Sequence, residues 1–135
     1  FLGSGLFDLE RLSRTGVRVA VATDIGGGTS YSMLRTLDEA YKIQQLQGHR
    51  LTPIERFWLA THGNAEALSL AHRIGTLDEG SDADIIALNS AATPSMAIRM
   101  ETVSSLEEEL FLLQTMGDDR AIAAVYVAGE AALPS

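Results

Sequence analysis

The chain has 135 residues, 46% hydrophobic and 21% charged, with 18 acidic against ten basic side chains and a formal net charge of −8. That length suits one domain with a real core. The acidic balance, with Lys42 as the one lysine, leaves no basic patch of the kind that holds nucleic acid. The absence of cysteine removes disulfides, Cys-ligated zinc, Fe–S clusters and a thiol nucleophile, and no apolar run reaches the ~18 residues of a membrane span.

The chain opens on Phe1 rather than Met, and Phe1-Leu2-Gly3-Ser4-Gly5-Leu6-Phe7 suits a processed terminus or the interior of a longer polypeptide. A short amphipathic stretch follows at residues 7–12. Residues 16–24 are nearly continuous, β-branched and short, which predicts a buried strand. It runs into the glycine-rich loop Asp24-Ile25-Gly26-Gly27-Gly28-Thr29-Ser30. Met33, Leu34, Leu37, Ala40, Tyr41 and Leu46 then recur at helical spacing, with Gly48 as a stop. Thr52-Pro53-Ile54-Glu55 is a capping box with proline at the first helical position. The helix it opens is expected to turn Ile54, Phe57, Trp58 and Thr61 inward and to end at Gly63, with Asn64 capping a third helix.

From Ile74 the composition shifts to turns, then a short strand at residues 84–88. Thr93-Pro94-Ser95 is expected to break the chain. Ser105 and Glu108 form a second capping box for a helix over about 105–116, which Gly117-Asp118-Asp119 stops. A strand at residues 123–128 and a turn at Gly129-Glu130 give a hairpin-like ending. A buried strand needs neighbours on both edges, and the first half holds only one strand, which favours a piece of a larger α/β fold.

Asp24 is the first candidate for chemistry, because α/β folds build their sites where a strand's C-terminal end meets a loop. A carboxylate there can ligate a metal or take a proton from water; the structural alternative is a turn that closes the strand. Gly26-Gly27-Gly28 before a helix could cradle a phosphate, but the Walker lysine is missing. His49, His62 and His72 show no metal-ligand spacing: His62 is expected to cap its helix or lie near Trp58, the other two to be exposed. Asp82 and Asp84 are expected to close a turn on backbone N–H groups, and Ser4 and Ser30 have no triad partners nearby.

Three segments together resemble the C-terminal part of the amidohydrolase superfamily. They are Val19-Ala20-Val21-Ala22-Thr23-Asp24, the run from Leu59-Ala60-Thr61-His62-Gly63-Asn64 to Ile74-Gly75-Thr76-Leu77-Asp78-Glu79-Gly80-Ser81-Asp82-Ala83-Asp84, and Val125-Tyr126-Val127-Ala128-Gly129-Glu130. Within that superfamily the chain is most similar to the guanine deaminases, on residues 1–7, Thr23-Asp24-Ile25-Gly26-Gly27-Gly28-Thr29-Ser30 and the stretch from Thr93-Pro94 to Asp118-Asp119-Arg120. Chlorohydrolase-like and other aminohydrolases share much of the pattern.

The resemblance implies an α/β fold: the C-terminal part of a metal-dependent (β/α)8 barrel plus strands of a small composite β-sandwich domain. Residues 1–72 would end the barrel, with its eighth strand at about 16–24, and residues 73–135 would belong to the small domain, with an inserted helix at about 105–116. The implied reaction is zinc-dependent hydrolytic deamination of guanine to xanthine and ammonia by a cytoplasmic homo-oligomer. Asp24 matches the family aspartate that touches both metal and attacking water. The family's H-x-H pair, later histidines and proton-shuttling glutamate have no match here, so the 135-residue chain alone is expected to be inactive. A non-catalytic, self-associating domain is the alternative of another class.

Overall fold

The computed structural model describes residues 4–132. These form α1 (Leu9–Arg14), α2 (Met33–Leu46), α3 (Pro53–Ala60), α4 (His62–Ala67), β1 (Ile85–Leu88), α5 (Pro94–Met100), α6 (Leu106–Met116), β2 (Ile122–Val127) and β3 (Glu130–Ala131). The expected loop at residues 1–3 and the hairpin's last residue, Leu133, lie outside the described residues.

Side-chain caps set most of the helix starts. Asp8, Ser32, Thr52, Thr93 and Ser105 each accept a backbone N–H from the first turn that follows, relieving donors a helix leaves unpaired. The Thr52 box is reciprocal: Glu55 Oε2 accepts the Thr52 N–H at 2.7 Å while Thr52 Oγ1 accepts the Glu55 N–H at 3.2 Å. In the second box the return arm is displaced by one residue, because Glu108 accepts from the N–H and hydroxyl of Ser104.

The apolar interior divides in two. Leu34, Met96, Leu112, Leu113 and Ala121 gather where α2, α5 and α6 meet. Leu9, Leu51 and Leu59 form a second cluster, onto which Val19 and Val21 pack. Polar residues tie the pieces together: buried Gln44 on α2 donates to Phe7 O at 2.6 Å and accepts the Leu9 N–H at 3.2 Å, and buried Gln114 on α6 donates to Pro53 O at 2.9 Å. The sheet has the order β1-β2-β3, antiparallel throughout, with Ile85 opposite Tyr126 and Val127 opposite Glu130. Asp84 Oδ1 accepts the Ala128 N–H at 2.8 Å, fixing the β2–β3 turn onto the start of β1.

Several expectations are corrected. Residues 17–24 run without a paired strand among the described residues, and only alternate side chains, Val19, Val21 and Thr23, are half-buried. A fully buried strand needs neighbours on both edges, and none of the described strands lies beside this one. The inward residues of α3 are Arg56 and Leu59, with Phe57 packed on the core as expected, whereas Ile54 and Trp58 are about half exposed and Thr61 is exposed. Gly63 does not end α3: a break at Thr61 (φ −121°, ψ −99°) does, and Gly63 lies inside α4. Asn64 therefore sits within α4 instead of capping it. Thr93-Pro94-Ser95 starts α5 rather than breaking the chain, since proline at the first helical position behind a threonine cap is a start signal.

Candidate functional site

The extended segment 17–24 is held along one side. Its apolar side chains rest on the Leu9–Leu51–Leu59 cluster. From α4, Asn64 Oδ1 accepts the Val21 N–H at 2.7 Å and Asn64 Nδ2 donates to Val21 O at 2.8 Å. Arg18 Nη1 donates to Glu66 O at 3.0 Å, a second tie to the same helix. Gly63 lets α4 fold closely against α3, since a Cβ there would lie 2.7 Å from the Trp58 ring.

Asp24 ends the segment in the left-handed region, at φ 48°, which aspartate tolerates better than most residues. Its carbonyl oxygen accepts the N–H groups of Gly27, at 2.9 Å, and Gly28. Gly28 has no room for a side chain: a Cβ would fall 1.9 Å from Thr23 O. The loop thus folds back on the carboxyl end of the segment and leaves the Asp24 side chain exposed. With the Gly27 and Gly28 donors committed to Asp24, the phosphate-cradle reading loses the groups it needs.

The histidines do not converge on Asp24. His49 Nδ1 lies 3.7 Å from Glu10 and is half-buried, against the expected exposure, because the start of α1 packs beside it. His62 stands beside Trp58, as expected, and Nε2 is 3.4 Å from Glu66. His72 is exposed. Among the described residues no three His, Asp or Glu side chains converge to hold a metal ion. A zinc site needs three or more protein ligands, so the described residues do not by themselves fit one; at the end of the 17–24 segment they offer one carboxylate, Asp24.

Several other carboxylates are occupied structurally. Asp84 binds backbone as expected, whereas Asp82 pairs with Arg73 at 2.6 Å. Asp118 is held at about 2 by hydrogen bonds from the Arg120 guanidinium and backbone. The backbone N–H groups of Thr52 and Ser104 likewise lower Glu55 and Glu108.

Two residues escaped the sequence reading. Arg56 is wholly buried, stacked under Tyr41 (4.6 Å) and near Phe111 (5.3 Å), and burial lowers its pKa. Nothing local in the sequence marks it, because its aromatic neighbours come from α2 and α6. The pairing of Asn64 with Val21 spans 43 residues and is equally non-local. A cleft of about 360 Å³ lies beside Arg56, lined also by Tyr41, Arg50, Arg99 and Phe111, and includes no residue of the 17–24 segment.

Comparison with known proteins places this geometry. The model of the amidohydrolase family matches residues 1–132. Guanine deaminase of Escherichia coli (strain K12) is 46% identical over 129 residues, which make up 96% of this chain and 29% of that protein. The solved structure of E. coli guanine deaminase matches all of this chain and 32% of its own, with TM-score 0.96 and 44% identity. Guanine deaminase from C. acetobutylicum with bound guanine in the active site matches 96% of this chain and 30% of its own, with TM-score 0.78 and 27% identity. The chain therefore spans about three-tenths of the length of these relatives.

Proposed function

This chain belongs to the amidohydrolase family, and from that premise we propose that it is the C-terminal part of a guanine deaminase, a hydrolase that converts guanine and water to xanthine and ammonia. The observation that carries the reading is the identity with the E. coli enzyme, which runs through nearly the whole chain. Residues 1–72 then end a (β/α)8 barrel, with the extended segment 17–24 in the place of its eighth strand. Residues 73–135 form part of a small β domain with α6 inserted. The separation of the β1-β2-β3 sheet from the 17–24 segment supports this division.

Asp24 is the residue that this chain gives to the site, as catalytic carboxylate and as metal ligand. Its exposed side chain sits at the carboxyl end of the segment, where a carboxylate can hold a proton taken from water. Zinc is proposed for the whole protein only, its other ligands lying on polypeptide outside these residues. A homo-oligomeric, cytoplasmic enzyme completes the proposal; exposed apolar side chains such as Tyr31, Leu46 and Leu77 support further contacts.

Expression of the complete reading frame tests it. The frame is expected to encode an H-x-H upstream of the Phe1 codon, and the product to release xanthine and ammonia from guanine. D24N is expected to abolish turnover, and the 135-residue chain alone to show neither turnover nor micromolar zinc affinity. Turnover of another amino-bearing heterocycle but not guanine would move the chain to a different aminohydrolase. Sedimentation and cell fractionation test the assembly and the location.

A further inference from the structure

Val21 has both its backbone groups taken by one side chain. The Asn64 amide receives its N–H at 2.7 Å and donates to its carbonyl at 2.8 Å, the two bonds that a neighbouring strand would otherwise make at this residue. We propose that Asn64 is a positioning residue for Asp24, acting as a side-chain substitute for a strand neighbour that fixes the direction in which the 17–24 segment delivers its terminal carboxylate. The inference rests on the assignment of Asp24 to the site.

The geometry supports a rigid lever. Asp24 lies three residues beyond Val21, about 10 Å along an extended chain. Downstream, the Gly27 and Gly28 N–H groups close on the Asp24 carbonyl, so the loop travels with the segment instead of anchoring it elsewhere. Upstream, Val19 and Val21 rest on an apolar cluster, which is non-directional and permits sliding. The directional ties nearest Asp24 are those of α4: the Asn64 pair at Val21 and the single Arg18 bond to Glu66 O; a further tie from outside the segment, the Val17 N–H to Leu12 O at 3.3 Å, lies at its far end. A small tilt at Val21 is therefore carried to Asp24, and displacement of a catalytic group by about 1 Å can lower a rate about 100-fold.

Pairing at Val21 also has a consequence for the edges. Alternate residues of an extended chain direct their backbone groups to opposite sides, so Asn64 takes the place of a strand only at Val21; a neighbour on that edge must pair at other residues, while Ala20 and Ala22 face the opposite edge.

The test is made in the full-length polypeptide, with N64A, N64D, D24N and a remote core variant, L113A, as a control for lost stability. N64A is expected to lower kcat at least about tenfold, with KM for guanine changed less than about threefold, and to speed hydrogen exchange of the Val21 amide. N64D keeps the acceptor for that amide and is expected to fall between N64A and wild type. L113A is expected to lower stability with kcat within about twofold of wild type. Should N64A and N64D keep wild-type kcat while D24N is inactive, the positioning role is refuted and the Asp24 assignment survives. Should D24N turn over guanine normally, both fall.

Discussion

Substitution of Gly63 sets two effects against each other whose sizes can be compared. Gly63 is buried in α4, and a Cβ there would meet the Trp58 ring at 2.7 Å (Cζ3) and 2.9 Å (Cε3) and the Trp58 carbonyl oxygen at 3.0 Å. Overpacking of this kind costs about 1–3 kcal/mol. Alanine in place of glycine within a helix returns about 1 kcal/mol. Trp58 is 45% exposed, so its ring can swing toward solvent and keep the steric penalty moderate. The steric effect still wins, and G63A is expected to destabilise by about 1 kcal/mol. In a W58A background both ring contacts vanish and only the tight carbonyl contact remains, so G63A there should be neutral or slightly stabilising. Equilibrium urea denaturation of wild type, G63A, W58A and the double variant gives the coupling directly, expected at about 1 kcal/mol or more. Equal cost in both backgrounds, or a G63A protein as stable as wild type, would refute the account of why glycine stands here.

Three other outcomes are expected. G28A puts a Cβ 1.9 Å from Thr23 O, a backbone atom that cannot rotate away, so the loop must open and, in the full-length polypeptide of the proposed deaminase, turnover should fall about 100-fold or more; G26A meets no atom within 4 Å and carries only the strain of its φ of 104°, about 1–2 kcal/mol, so kinetics of the two full-length variants should separate them. The Asp118 carboxyl should titrate at about 2 by carbon NMR and return toward the ordinary carboxylate range in R120A. Because its folded pKa is the lower one, any stability from this pair is present above the unfolded value of 3.8 and is lost as pH falls through about 2. T52A removes the hydroxyl arm of the capping box of α3, with an expected loss of about 1 kcal/mol in denaturant unfolding and a partial rise in the Glu55 pKa, since the backbone N–H bond that lowers it most is kept and the hydroxyl bond is lost.

Elements whose cause is local were legible in the sequence. The spacing of Met33 to Leu46, the Thr52–Glu55 and Ser105–Glu108 caps and the turn at Gly129 all act within a few residues, and the corresponding helices and hairpin stand where expected. Errors came where a distant partner decides. Trp58 was expected inside on hydrophobicity alone, but the surface that α3 buries is fixed by α2 and α6, which enclose Arg56 between Tyr41 and Phe111. Asn64 was a plausible cap by residue type, yet Val21, 43 residues earlier, claims its amide. For the candidate site, Asp24 and the junction of segment and loop can be named from the sequence, whereas the pairing of Asn64 with Val21 cannot, because nothing in α4 names its target.

The unpaired surfaces of this chain make physical sense only with more polypeptide against them. Among the described residues ten apolar side chains are buried, a small core for a chain that is 46% hydrophobic. Much of the sheet is exposed on both faces: Ile85 and Ile86 alternate along β1 and both reach solvent, as do Tyr126 and Val127 on β2, while Leu88 packs on the core. A sheet this small gains stability by burying at least one apolar face. The 17–24 segment has the complementary need. One edge is satisfied at Val21 by a side chain, while Ala20 and Ala22 on the other have no backbone partner among the described residues. A strand that pairs with those free N–H and C=O groups would hold the segment, and Asp24 at its end, from the side that Asn64 does not reach.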